Sequence, residues 1–163
     1  MITTEQINQI LDKFFHEHRV AWDEIVRIER ITDIGEKTKQ SLELFNTELL
    51  PHFKQEEETI LSQKEFPQFS DDSERNQILD EHQKAYTIID ELEKNKNIQQ
   101  NLDAFFPLMK SHIRLEDKYF GKIKSDLSVK MQEGVNNAVP LMLIVIGVVC
   151  LILIVYGINK VSA

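Results

Sequence analysis

The chain has 163 residues, 42% of them apolar, with 27 acidic against 19 basic side chains, a formal charge of −8 and a single cysteine. That length holds about one domain, which excludes a large multidomain enzyme, and the acidic balance argues against nucleic acid as a partner. The cysteine, Cys150, has no second thiol to pair with, so a metal in this chain would be held by histidine and carboxylate rather than by thiolates.

Glycine occurs five times and proline four, and no stretch alternates apolar with polar residues as a half-buried strand does, so the chain reads as all-α. A first helix is predicted from about Thr4 to Ile31, capped by Thr3 or Thr4, with its apolar stripe at Ile7, Leu11, Phe14, Trp22 and Ile25. Thr32-Asp33-Ile34-Gly35 ends it. The second runs from about Glu36 to Lys64 with Leu42, Phe45, Leu49, Phe53 and Ile60 on one face. Pro51 lies inside it, where the missing N–H predicts a kink. A loop from Glu65-Phe66-Pro67 to Asp71-Asp72-Ser73 leads to a third helix, about Ser73 to Lys94, carrying Ile78, Leu79, Ile89 and Leu92, and Asn95-Lys96-Asn97 closes it. The fourth begins near Ile98 and carries Leu102, Phe105, Met109, Tyr119, Ile123 and Leu127, with Pro107 as either an internal kink or the true start. Four such helices with short connections make an antiparallel up-down-up-down four-helix bundle over residues 1–130.

Val139 to Ile158 is a run of 20 residues without a charge, long enough at about 1.5 Å per residue to cross a hydrocarbon core of roughly 30 Å. The expectation is a single C-terminal transmembrane helix over 139–158, a linker over 131–138 broken or bent near Gly134, Asn136, Asn137 and Pro140, and a short tail over 159–163. The N-terminal residues show no basic region followed by an apolar one, so no signal peptide is expected. Lys118, Lys122, Lys124 and Lys130 precede the run and Lys160 alone follows it, which orients the bundle to the cytoplasm.

The histidines fall on the buried stripes. His18 sits four residues after Phe14 and four before Trp22; His52 follows Leu49 by three; His82 lies between Ile78 and Ile89; His112 follows Met109 by three. His16 is turned about 200° from His18 and reads as a surface residue. The four inward histidines are 34, 30 and 30 residues apart, one helix and one turn each time, which brings them to a similar depth in an antiparallel bundle. Glu56 and Glu116 follow His52 and His112 by four and point inward too. Burying two carboxylates together is costly unless a cation compensates. Four imidazoles and two carboxylates without sulfur suit iron or manganese in a two-metal site, bridged by carboxylate.

The segments Glu17-His18, His52-Phe53-Lys54-Gln55-Glu56-Glu57, Glu81-His82 and His112-Ile113-Arg114-Leu115-Glu116-Asp117 together resemble the hemerythrin-like, or HHE cation-binding, domain, over about residues 10–125. The resemblance implies a non-haem, oxo- or hydroxo-bridged di-iron centre that binds dioxygen or nitric oxide, with His18, His52, His82 and His112 as terminal ligands and Glu56 and Glu116 as bridges. Oxygen-carrying relatives have a further histidine where this chain has Tyr86, and take their last carboxylate from a His-x-x-x-x-Asp spacing that Asp117 would satisfy. Helical geometry favours Glu116, about 40° from His112 against about 140° for Asp117. Asp117 stays as the substitute, Tyr86 as a group that fills a metal position, hydrogen-bonds a bound ligand or packs, and Glu57 and Glu81 as acceptors behind the ligands.

The leading expectation is a membrane-anchored di-iron protein binding dioxygen, nitric oxide or peroxide for sensing, delivery or protection, beside a respiratory or oxygenase complex. A di-iron oxidoreductase or iron-delivery protein, and a non-catalytic scaffold subunit, are the alternatives. Phosphate-binding glycine loops, the H-E-x-x-H zinc motif and the G-x-S-x-G nucleophile motif are absent.

Overall fold

The computed structural model describes residues 3–62 and 72–161, with side chains described for 3–62 and 73–129. Helix α1 spans Thr4–Glu29, α2 Ile34–Leu44, α3 Leu50–Thr59, α4 Asp72–Glu93 and α5 Ile98–Val161, and no strand occurs among the described residues. Phe45–Leu49 joins α2 to α3 as a π-helical turn, so these three pieces form one rod. The expected four helices are thus four rods, and the chain divides into two compact units, Met1–Lys124 and Ser125–Ala163.

Local sequence sets the ends. Thr3 accepts from the Gln6 backbone N–H while the Gln6 side chain accepts from that of Thr3, a reciprocal capping box. Asp33 caps α2 by accepting from the Glu36 N–H at 2.7 Å. Helix α4 closes with Asn95 at φ 53°, the left-handed region that asparagine tolerates, and with the Lys96 N–H returning to the Glu91 carbonyl at 2.9 Å. Asn101 then straps the turn, donating to the Lys96 carbonyl and to Glu91.

The kink expected at Pro51 takes the form of the π-turn. Proline lacks the N–H that would bond to residue 47 and its ring crowds that carbonyl; the preceding turn relaxes by one residue, and the Leu50 N–H bonds to the Phe45 carbonyl. Pro107 starts no new helix, because α5 is helical from Ile98. The residues set apart as a linker, 131–138, are helical in their backbone. The second rod stops at Thr59, short of the expected Lys64, which lies with the 63–71 segment outside the described residues. Among the described residues no helix is long and apolar enough to cross a membrane; the run 139–158 lies outside those whose side chains are described.

The side-chain pairs fix the topology. Between α1 and the second rod, Lys13 meets Gln55, Glu17 meets His52 and Arg27 meets Gln40. As one number rises the other falls, so the rods are antiparallel. The same holds for α3 with α4 (Glu57 with His82, Leu61 with Arg75), α4 with α5 (Glu74 with Lys118, Glu91 with Asn101) and α5 with α1 (Lys124 with Asp12, Lys110 with Glu29). Within Met1–Lys124 this is the up-down-up-down ring of neighbours.

One end of the ring is filled by a contiguous apolar cluster that includes Ile25, Phe45, Leu49, Ile89, Phe105 and Met109. Ile7, Leu11, Phe14, Ile78, Phe120 and Ile123, all 0% exposed, occupy the other. Trp22 lies at the edge of the core, under the Arg114 guanidinium at 5.0 Å. Phe105→Ala, in the first cluster, is expected to lower unfolding free energy by about 3–5 kcal/mol, read as a lower urea midpoint with unchanged slope.

Candidate metal centre

Between the two apolar ends, each rod turns one histidine inward. His18 comes from α1, His52 and Glu56 from α3, His82 from α4, and His112 and Glu116 from α5. Glu56, His82 and Glu116 are 0% exposed, and His52, the most open of the six, is 8% exposed. The i, i+4 spacing stacks each glutamate over its histidine, with His52 Nε2 2.9 Å from Glu56 Oε1 and His112 Nε2 3.0 Å from Glu116 Oε1. His18 Nε2 stands 3.0 Å from His52 Nε2 and 3.2 Å from Glu116 Oε2. On the other side, His82 Nε2 lies 3.5 Å from Glu56 Oε2 and 3.5 Å from Glu116 Oε1.

The six residues form two groups, His18, His52, Glu56 and Glu116, and Glu56, His82, His112 and Glu116; within each, one ligand atom per residue lies within 4.8 Å of all the others. The glutamates belong to both. Neither oxygen of Glu56 or Glu116, nor Nε2 of His82 or His112, has a hydrogen-bond partner. Buried polar atoms are almost always satisfied, so acceptors converging on one space with no donor fit the demands of bound cations.

Outside the six lies a ring of carboxylates. Each histidine's Nδ1 faces one: Glu17 for His52 at 2.8 Å, Glu57 for His82 at 2.7 Å, Glu81 for His112 at 3.1 Å and Asp117 for His18 at 2.7 Å. Each carboxylate comes from the rod preceding the histidine's own, and α5 closes the circle back to α1. An Nδ1–H donated outward leaves the Nε2 lone pair facing inward, the tautomer a metal requires.

Residues 9–123 match the Hemerythrin HHE cation binding domain. The chain belongs to the hemerythrin HHE family. No curated protein and no solved structure matches it. The cation-binding description of this family is in keeping with the two histidine and glutamate groups found here.

The residues predicted from sequence divide into inner and outer sets. His18, His52, His82, His112, Glu56 and Glu116 are brought together. Asp117 is not at the centre: it sits behind His18, 48% exposed at its side chain, because a residue five positions on from His112 points to the neighbouring rod. Glu57 and Glu81 stand behind His82 and His112. Tyr86 does not reach the inner groups; its hydroxyl lies 3.5 Å from Glu57 and its ring packs edge-on against Phe45 and Phe53. Glu17 completes the outer ring and was missed by sequence reasoning, as its position 100° from His18 suggests a surface charge. Aromatic rings hold the imidazoles: Phe53 stacks on His82 at 4.0 Å, Phe14 meets His52 edge-on at 5.1 Å and Phe120 lies parallel to His18 at 6.2 Å.

With metal absent, protons balance the charge. For His18, burial is the largest influence and lowers the pKa, but Asp117, Glu116 and Glu56 outweigh it and push it up to about 11. His82 is likewise raised to about 10 and His52 to about 9, burial again opposing the neighbouring carboxylates. His112 is raised as well. Burial works to raise Glu116, yet the charge of His112 and contacts with His112, His18 and His82 hold it well below the usual range.

These shifts predict a pH window. A histidine raised above its unfolded value, about 6.5, stabilises the fold fully below that value and loses the contribution as pH climbs through the folded one. Melting temperature of the metal-free chain should therefore fall as pH rises above about 6.5 and on through about 9, 10 and 11, where His52, His82 and His18 lose their protons. Glu116 gives the mirror image, its stabilisation lost as pH falls through its lowered value. Metal must displace the histidine protons, so calorimetry in two buffers of different ionisation enthalpy should show proton release on metal addition at pH 7. Asp117→Asn, which leaves a neutral partner behind His18, should weaken metal binding by about 10–100-fold in a competition titration with helicity retained.

Proposed function

We propose that the domain holds two iron ions, one at His18 and His52 and one at His82 and His112, bridged by Glu56 and Glu116, and there binds dioxygen, nitric oxide or peroxide for sensing, delivery or protection. The observation that supports it is the sharing of two fully buried carboxylates between two four-residue groups. Nitrogen and oxygen donors without sulfur suit iron, with manganese the nearer alternative. Bound iron would supply one-electron redox chemistry and open coordination positions for a small ligand. The chain's own residues orient the imidazoles through the outer carboxylates and pack them with Phe14, Phe53 and Phe120.

We further propose that residues 139–158 anchor the chain in a membrane as a single span with the bundle on the cytoplasmic side, beside a respiratory or oxygenase complex. The uncharged run and the lysines preceding it support this reading.

The test is metal content of the full 163-residue chain purified without oxygen. Two irons per chain are expected, dropping to one or none in His52→Ala and in His112→Ala with helicity retained. A well-folded chain that takes up no ferrous iron would overturn the proposal. Titration with nitric oxide should then change the visible spectrum of the loaded chain, and turnover with an electron donor would assign it to the oxidoreductases.

A further inference from the structure

We propose that the metal ions enter the centre through the cavity between α1 and the second rod, drawn by Glu17 and Glu48 at its rim and opposed by the Lys13 ammonium that bridges its mouth. This rests on the two-metal reading above and adds the route by which the site fills and empties. Six buried donors inside a packed bundle have to be reached from solvent, and this cavity spans that distance. Lys13, His16, Thr47 and Glu48 at its outer edge are exposed, whereas His18, His52, His112 and Glu116 at its floor are buried.

The floor is where an arriving cation finds donors. Both oxygens of Glu116 and Nε2 of His112 are buried there without a hydrogen-bond partner. By contrast, the depression beside Arg19, Trp22, Asp23 and Asp117 reaches His18 alone of the six. The cavity measures about 370 Å³, against the roughly 180 Å³ that six waters occupy in the liquid at about 30 Å³ each. A divalent cation can therefore pass with its water shell and shed it where imidazole and carboxylate take its place.

Charge favours a cation on this path. The carboxylates lining the cavity are Glu17, Glu48 and Glu116, against the single ammonium of Lys13. In the metal-free centre the imidazoles balance Glu116, so the pull on an incoming ion comes from Glu17 and Glu48, which stand outside the six. A cleft lined by one sign of charge raises the local concentration of the opposite ion. Lys13 works against it. Its Nζ donates to Gln55 on α3 and stands 3.3 Å from Glu17 Oε1, while Glu17 Oε2 accepts from His52 Nδ1. An ion that reaches Glu17 has to displace that ammonium, so Lys13 is an electrostatic latch between α1 and α3. It acts on the rate of filling and not on the ligands of the filled site.

The experiment mixes the metal-free, full 163-residue chain with cobaltous ion, a stand-in for ferrous iron whose visible absorption changes on binding nitrogen donors, and follows release into excess chelator. Glu48→Gln is expected to slow uptake by about threefold to fivefold at low salt, the difference shrinking at high salt. Lys13→Met should speed uptake by a similar factor. Each should change release by the same factor as uptake, leaving stoichiometry and equilibrium affinity unchanged, which loss of a structural contact would not do. Asp23→Asn removes one charge beside the other depression and should leave both rates alone. Two bound cobalt ions with unaltered rates in Glu48→Gln and Lys13→Met would overturn this inference and leave the metal reading standing, as would Asp23→Asn slowing uptake as much as Glu48→Gln. A folded chain that binds neither cobaltous nor ferrous ion would overturn both.

Discussion

Two carboxylates, Glu56 and Glu116, lie fully buried at the centre of a helical bundle, where the imidazoles of His18, His52, His82 and His112 are the charged groups that face their oxygens. Removing an unpaired carboxylate from water costs many kcal/mol, and the bundle is organised around meeting that cost. The four inward histidines surround the pair, and they supply positive charge as protons when metal is absent and lone pairs when it is present. Either state requires one imidazole from each rod at one depth, which constrains rod lengths and connections together. The apolar ends give the stability that a polar middle does not.

The outer carboxylates show how little sequence this organisation needs. Adjacent residues on a helix are about 100° apart, so a residue beside an inward ligand points toward the next rod. Glu17-His18 and Glu81-His82 place the carboxylate before the inward residue, on the two rods that run one way. Glu56-Glu57 and Glu116-Asp117 place it after, on the two that run the other way. Reversing a right-handed helix exchanges forward for backward along the chain while keeping the sense of rotation seen from one end. The alternation therefore sends all four carboxylates the same way round the bundle, each onto the next histidine. Antiparallel topology and the order of residues in four dipeptides are one fact expressed twice.

That relation also explains what was legible. Apolar periodicity placed the four rods, and the same periodicity placed His18, His52, His82, His112, Glu56 and Glu116 on their inner faces, because inward pointing is a property of one helix alone. Facing a neighbour is a property of two. Glu17 and Asp117 look like surface charges, or like a spare ligand, until the rods are set side by side. Their signal is the alternating order of the dipeptides, which is readable only after antiparallel packing is assumed. Tyr86 follows the same logic: one turn beyond His82 it points inward by periodicity, yet Phe45 and Phe53 from the second rod take up that space and turn it to packing. Pro51 announced a disturbance in its helix but not its form, since a kink and a π-turn both answer a missing N–H.

The π-turn separates what the site's near-symmetry would make alike. Two histidines and two shared carboxylates serve each half, and each imidazole is held from behind by one carboxylate. Judged by donors alone, the halves are equivalent. They differ in what stands beyond them: Phe53 stacks flat on His82, whereas the cavity beside Phe45–Leu49 is lined by both His18 and His52 and, of the other half, by His112 but not His82. The turn that precedes Pro51 thus lies beside the cavity, and the two halves are unequally exposed to it. Chemistry that needs one position to hold and another to exchange is served by that asymmetry without any change in the ligands.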